Sequence, residues 1–536
     1  MAAILERSGL VRLLGIVGLG VCCVWGSPSR AGVSLRLVGS ADLAGAEVVT
    51  HDPATGHVFV ACDAGIAVVE LDAATGGPTV LEAVRMTRVF RAGFPFREVS
   101  HVEADPLGRG FLLATMISDR VGEHVGAVAV VDTHGREVLG IVRVGHHPDA
   151  VKITPDGSMA IVANEGEPGF WRGEFRDPPG SITLLELPGA VEGEGLLEKL
   201  TTIRPVHLSL VEALPEGDGV RIHPDRRSRP ELDLEPESIA VLGDRAYVTL
   251  QENNAIAVVD LKEQRVERIV GLGSIRQRID ASDRDGINIS TVIDCMPMPD
   301  QVAAFTIDGR GYLITANEGD TRGDSGDTVM GDAIRIRALQ DRGMLSEQAL
   351  DGLDVTNRGA GRLQVCAFTG DETGDGLIDR VHAFGTRSVS IWDAATLERV
   401  GDTGSAFEEL IAERWPELFN ANREGARVHS PDSRSDNRGP EPEGVVVGKF
   451  GGRVLAFVSL ERPGAIAIVD VSEPASPRVV DIEMSARDGF TAPEGMAIVR
   501  GWGPDARDLL VVGFEQSGSV VVYEITTKQP PAGRAR

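Results

Sequence analysis

Cysteine and lysine are both scarce in this chain of 536 residues. Five cysteines occur, and two of them, Cys22 and Cys23, sit in the N-terminal apolar stretch. Cys62, Cys295 and Cys366 are an odd number without short spacing, which excludes a disulfide framework and a cysteine-ligated zinc site. The lysines are Lys152, Lys199, Lys262, Lys449 and Lys528, so the positive charge is almost all arginine. Lysine and arginine together number 53 against 80 acidic residues, a formal charge of −27. No basic run offsets that field, so duplex nucleic acid and anionic membrane surfaces are repelled. Beyond the N-terminus no stretch is long and apolar enough to span a bilayer. The familiar catalytic templates are missing too: there is no Gly-x-Ser-x-Gly, His-Glu-x-x-His, Walker loop or strand-linked Gly-x-Gly-x-x-Gly. The 64 glycines and 42 % hydrophobic residues describe a turn-rich globular protein with ample core.

The N-terminal segment reads as an address. Arg7 and Arg12 precede the apolar run Leu13 to Trp25, and Ser29 and Ala31 supply small residues at −3 and −1 of a cleavage after Ala31. Residues 1–31 are therefore expected to be a signal peptide, and the mature chain to be secreted or periplasmic. Val21 before Cys22 makes a poor lipoprotein box. The polar, proline-containing end, 527–536, is expected to be a disordered tail.

Between these ends one pattern recurs: an apolar strand, a turn, a second apolar strand, a small or acidic loop, and a third strand ending in Asp or Glu. Val58 to Ala61 with Ile66 to Asp72, Ala246 to Leu250 with Ala255 to Asp260, and Val454 to Val458 with Ala465 to Asp470 are three of its copies. A single four-stranded antiparallel unit has two apolar faces and cannot bury them alone, whereas radial stacking buries both. The expected fold is all-β, a single β-propeller over 33–526. The last copy stops after its third strand, while Val33 to Val38 is a strand with no unit of its own; it is expected to supply the missing outer strand and close the ring. The irregular region Gln301 to Gly401 allows seven blades, one carrying a large insertion, or eight; seven is favoured. Loop insertions are expected near 188–235, 321–362 and 406–440, on the face where function gathers.

Carboxylates recur at matching places. Pro148-Asp149, Pro236-Glu237, Pro299-Asp300, Pro442-Glu443 and Pro493-Glu494 open first strands, and Glu165, Glu252, Glu318, Glu461 and Glu515 follow second strands. In an antiparallel pair the start of one strand lies beside the end of the next, so both sets converge on one end of the channel. Such crowding calls for compensation. Backbone amides and arginines such as Arg462 could supply it, or a hard cation, Ca²⁺, held by carboxylate and carbonyl oxygens. Asn164-Glu-Gly-Glu167 and Asn317-Glu-Gly-Asp320 repeat one oxygen-rich loop, which could equally be an Asx turn. The candidate metal ligands are Asp149, Glu165, Glu237, Asp300, Glu318, Asp320, Glu443 and Glu494. Asp371 and Asp375 form a second set in an EF-hand-like half-loop whose closing position is His382, with Asp379 nearby. Arg434 and Arg438 could clamp an anion such as phosphate, or neutralise their acidic neighbours. His146 and His147 adjoin a Pro-Asp pair, and a surface or hydrogen-bonded role is expected for them.

Asp280-Ala-Ser-Asp-Arg-Asp-Gly286, Met298-Pro-Asp300, Ile314 to Asp320, Arg387 to Asp393 and Asp432 to Gly444 together resemble the choice-of-anchor I family. The resemblance covers nearly all of the mature chain. It implies an exported bacterial propeller of the seven-bladed type and defines little chemistry, some members carrying an alkaline-phosphatase-like label. Two functions remain open: a cation-stabilised binding or scaffolding propeller with an unknown extracellular or envelope partner, or a calcium-dependent phosphoesterase. Binding is favoured because no nucleophile is evident.

Overall fold

The computed structural model describes residues 32–527, apart from 63, 190–194, 216–218, 323–330 and 425–426. The expected signal peptide, 1–31, and residues 528–536 lie outside the described residues. Thr527, the first residue of the expected tail, instead ends a strand.

Seven four-stranded antiparallel sheets are present among the described residues. Their first strands are Val49–His51, Phe96–Ala104, Pro148–Ile153, Pro236–Leu242, Val302–Ile307, Pro442–Phe450 and Pro493–Trp502. Each first strand lies against the first strand of the next sheet, and Pro493–Trp502 lies against Val49–His51. Most third strands are continuous apolar runs without alternation; Ala465 through Val469 are all buried. Such a run suits a strand covered on both faces, and neighbours provide the cover. One apolar layer, including Ala61, Val68, Val102 and Leu112, fills the space between the first and second sheets. Corresponding layers separate each later pair, including Val60 and Val511 between the seventh sheet and the first.

The seventh sheet takes its outer strand from the other end of the chain. Val33–Asp42 pairs antiparallel with Ser519–Thr527, Leu35 opposite Ile525 and Leu37 opposite Tyr523. The Asp residues that end third strands have a local reason: the carboxylates of Asp72, Asp132, Asp260, Asp393 and Asp470 each accept the N–H two residues on, shaping the turn to the fourth strand.

Two irregular stretches combine strands of the repeated sheets with inserted ones. The apolar runs Arg380 to Phe384 and Ser388 to Trp392 resemble a further copy, yet they part company. Val389–Asp393 pairs with Arg310–Ala316 as the third strand of the fifth sheet. His382–Phe384 joins an accessory five-stranded sheet, parallel to Thr291–Met296. That sheet has its own small core around Ile293, Ile336 and Val365. The stretch 188–235 is also not wholly an insertion, because Pro205–Leu208 within it is the outer strand of the third sheet. The stretch 406–440 holds the helix Ala406–Arg414 and the hairpin Asn422–Glu424 with Arg427–His429. Among the described residues no helix is long and apolar enough to cross a membrane.

Candidate functional site: an acidic central cavity

The first strands surround a cavity of about 940 Å³. Local backbone geometry explains why acids point into it. Proline has no N–H to offer a ladder, so it opens the strand. Pro148, Pro236, Pro442 and Pro493 pair with Asn164, Leu250, Leu460 and Phe514, and the register slips immediately afterwards. Each slip re-aims the following residue, Asp149, Glu237, Glu443 or Glu494. In four sheets the residue before the proline is left-handed: His147, Met298, Glu441 and Ala492 have φ of 45°, 45°, 50° and 56°. Their carbonyls accept N–H groups from Glu165, Gly319, Glu461 and Glu515, which draws the loop after the second strand to the start of the first.

Asp149, Glu165, Glu237, Asp300, Glu318, Asp320, Glu443 and Glu494 all line this one cavity, with Glu252 and Glu515. Glu461 stands just behind, a carboxylate oxygen within 4.8 Å of oxygens of Glu443 and Glu494. In total fifteen acidic side chains line the cavity, against Lys152 and Arg322. Glu47 and Glu235 were not anticipated. Glu47 belongs to the repeat, its N–H bonded to the Ala61 carbonyl of the second strand, but no proline marks it. Asp371 and Asp375 are not in the cavity; they sit in an exposed loop and accept the N–H groups of Gly374, Gly376 and Leu377.

Burial pushes the carboxyls of Glu165, Glu237, Asp300, Glu318, Glu443 and Glu494 well above the usual carboxylate range, and their acidic neighbours push the same way. Asp149 is raised to about 6 by burial, opposed by His147 and reinforced by Glu167. Glu237 Oε2, Glu252 Oε2 and Glu443 Oε2 are buried without a hydrogen-bond partner. Oxygens that are crowded, desolvated and unpaired suit a hard cation.

Arginines neutralise part of the ring. Glu441 is fully buried, and although burial opposes its charge, Arg438, Arg434 and Arg462 hold its carboxyl down at about 2. Arg434 lies 2.5 Å and Arg462 2.7 Å from it. Arg438 also pairs with Asp320 and lies 3.8 Å from Glu318. The two arginines considered as an anion clamp are thus engaged by carboxylates. Arg322 pairs with Glu235 and Arg423 with Glu461. The amides of the two Asn-Glu-Gly loops serve the scaffold: Asn164 takes the Gly145 N–H and donates to Thr183, and Asn317 donates to Thr386 and Ser390.

The motif around Arg387 is a buried clamp. Its guanidinium, 1 % exposed, donates to the carbonyls of Asp280, Ser435 and Asn437 and lies 2.6 Å from the buried Glu408 carboxylate. A Cβ on Gly439 would stand 2.8 Å from Arg387 Cδ, so glycine is required where the arginine passes. Three separate sequence motifs thereby meet at one side chain.

A family model, the choice-of-anchor I domain, matches residues 47–474. The chain belongs to the choice-of-anchor I family. With its radially neighbouring sheets, this choice-of-anchor I chain is a β-propeller. It is similar to Gigasin-3a of Magallana gigas, 42 % identical over 96 residues, which are 18 % of this chain and 34 % of that protein. It is also similar to a mesenchyme-specific cell surface glycoprotein of Strongylocentrotus purpuratus, 30 % identical over 225 residues, 36 % of this chain and 29 % of that one. The chain spans about a third of the length of these relatives. Among solved structures, hydrazine synthase of Kuenenia stuttgartiensis aligns with a TM-score of 0.47 at 13 % identity, covering 91 % of this chain and 97 % of that one. The β-propeller domain of Cps50 (Swd1) from Myceliophteria thermophila aligns with a TM-score of 0.43 at 10 % identity, covering 92 % and 100 %.

Proposed function

We propose that this protein is an exported binding or scaffolding propeller of the cell surface or extracellular space, stabilised by Ca²⁺ in its acidic cavity. In this reading the seven sheets are seven blades, closed by Val33–Asp42. The unbroken succession of apolar layers supports closure, since each sheet buries both faces against its neighbours. Surface residence rests on the family and on the similarity to a cell surface glycoprotein. The observation that carries cation binding is the ring of buried carboxylates with unpartnered oxygens. A phosphoesterase is not favoured, because Arg434 and Arg438 already face Glu441 and Asp320. Calorimetric titration of chelator-treated protein with CaCl₂ tests the reading: saturable binding, weakened in Glu237→Gln and Glu443→Gln, is expected. No binding heat, or phosphate release from a phosphoester panel only when Ca²⁺ is added, would count against a non-catalytic scaffold held by the ion.

A further inference from the structure

Beside the cavity, where Glu165 and Glu167 line it and His147 lies behind them, the donor set differs from that of the ring. His147 Nδ1 lies 3.1 Å from Glu167 Oε2 and 3.7 Å from Glu165 Oε2, and the three donor atoms fall within 4.8 Å of one another. We propose that His147, Glu165 and Glu167 bind a first-row transition-metal ion of the Zn²⁺ class, at a mixed nitrogen and oxygen site on the margin of the acidic ring, with which it shares Glu165.

The argument is one of donor type and spacing. Ca²⁺ takes oxygen ligands, six to eight of them, whereas imidazole nitrogen suits zinc and its neighbours in the first transition row. Ligands about 2.0–2.1 Å from a tetrahedral zinc stand roughly 3.3 Å apart, which the two observed separations bracket. The donors are held in place by backbone. Glu165 N–H donates to the His147 carbonyl, and Gly166 N–H to that of His146. Gly166 has φ of 77°, and a Cβ there would come 2.7 Å from Gly180 N, so the loop carrying both glutamates is seated tightly. Glu237 lines the same cavity as Glu165 and is 7 % exposed with Oε2 unpartnered. Arg97 is the fixed cation beside Glu167. The same distances also fit an imidazolium held between two carboxylates without metal, and the experiment separates the two.

Untagged, chelator-treated protein is titrated calorimetrically with ZnCl₂ and, separately, with CaCl₂, alongside His147→Asn and Glu167→Gln. Asparagine tolerates the left-handed backbone at 147, and Glu167 is partly exposed, so the second variant still decides if the first folds poorly. The expected result is Zn²⁺ binding to the native protein that weakens on the order of 100-fold in both variants, while their Ca²⁺ response is unchanged. A Zn²⁺ response lost in the variants, with no Ca²⁺ response in any protein, would support this site and remove the calcium reading of the ring. Absence of Zn²⁺ binding to the native protein, or equal Zn²⁺ affinity in native and both variants, would overturn the proposal.

Discussion

Arg387 and the ring carboxylates show opposite ways of handling buried charge. Arg387 is fully matched, by Glu408 and three carbonyls, and its loss would leave Glu408 charged and desolvated. Breaking such a pair costs about 3–5 kcal/mol, so Arg387→Met is expected to lose about that much stability in urea titrations; a loss below about 1 kcal/mol would contradict the clamp. The ring acids are under-matched. Asp149 titrates at about 6 in the folded protein, above the usual carboxylate range, because burial favours its neutral form. The folded state therefore holds a proton that the unfolded chain gives up. The stability from this proton is fully present below the ordinary carboxylate pKa and is lost as pH rises through about 6. The other raised ring carboxyls act in the same direction. Buried histidines with lowered pKa, His101 among them, add stability as pH rises toward 6.5, so the ring is read above that: in chelator, melting temperature is expected to fall as pH is raised from 6.5 to 8, and saturating Ca²⁺ to flatten that slope. A chelated protein that gains stability over this range would show that the ring is already neutralised from within.

At the scale of elements, the strand Val33–Asp42 carries the largest testable consequence. It covers Ser519–Thr527, which would otherwise be an exposed apolar edge. A chain beginning at Leu43 is expected to aggregate or melt far below the full-length mature protein, measured by size exclusion and thermal denaturation. A soluble monomer with unchanged melting would mean that the strand decorates the fold without completing it. This pairing was legible in the sequence because a missing fourth strand and an orphan strand are both visible in a repeat. The accessory sheet was not. Its strands come from both sides of Val302–Ala316, and parallel pairing of Asp294 with His382 leaves no hairpin signature. Pro205–Leu208 was hidden similarly, by the long connection that separates it from its partner Ile182–Leu185. In the site, repeated Pro-Asp and Pro-Glu pairs revealed the ring. Glu47, without its proline, Arg322, on an irregular loop, and Arg423, on the inserted hairpin strand Asn422–Glu424, left no periodic mark. His147 was expected at the surface or in a hydrogen bond, and it does lie 3.1 Å from Glu167; what a sequence does not reveal is that its loop is bonded to the one carrying Glu165 and Glu167.

Over the whole molecule, the seven sheets converge their strand starts on one cavity, so charge that would be harmless on a surface is concentrated and desolvated. A net charge of −27 deepens that field. An ion that binds the folded ring and not the unfolded chain stabilises by mass action. At a thousandfold excess over its dissociation constant this amounts to about 4 kcal/mol. The most direct measurement is a thermal melt of the mature protein at pH 7.5 in millimolar Ca²⁺ against excess chelator, repeated on Glu443→Gln. A higher midpoint with Ca²⁺ is expected, reduced in the variant. Identical midpoints with Ca²⁺ and with chelator in the native protein would contradict the account, leaving the arginines and backbone amides as the whole of the ring's compensation.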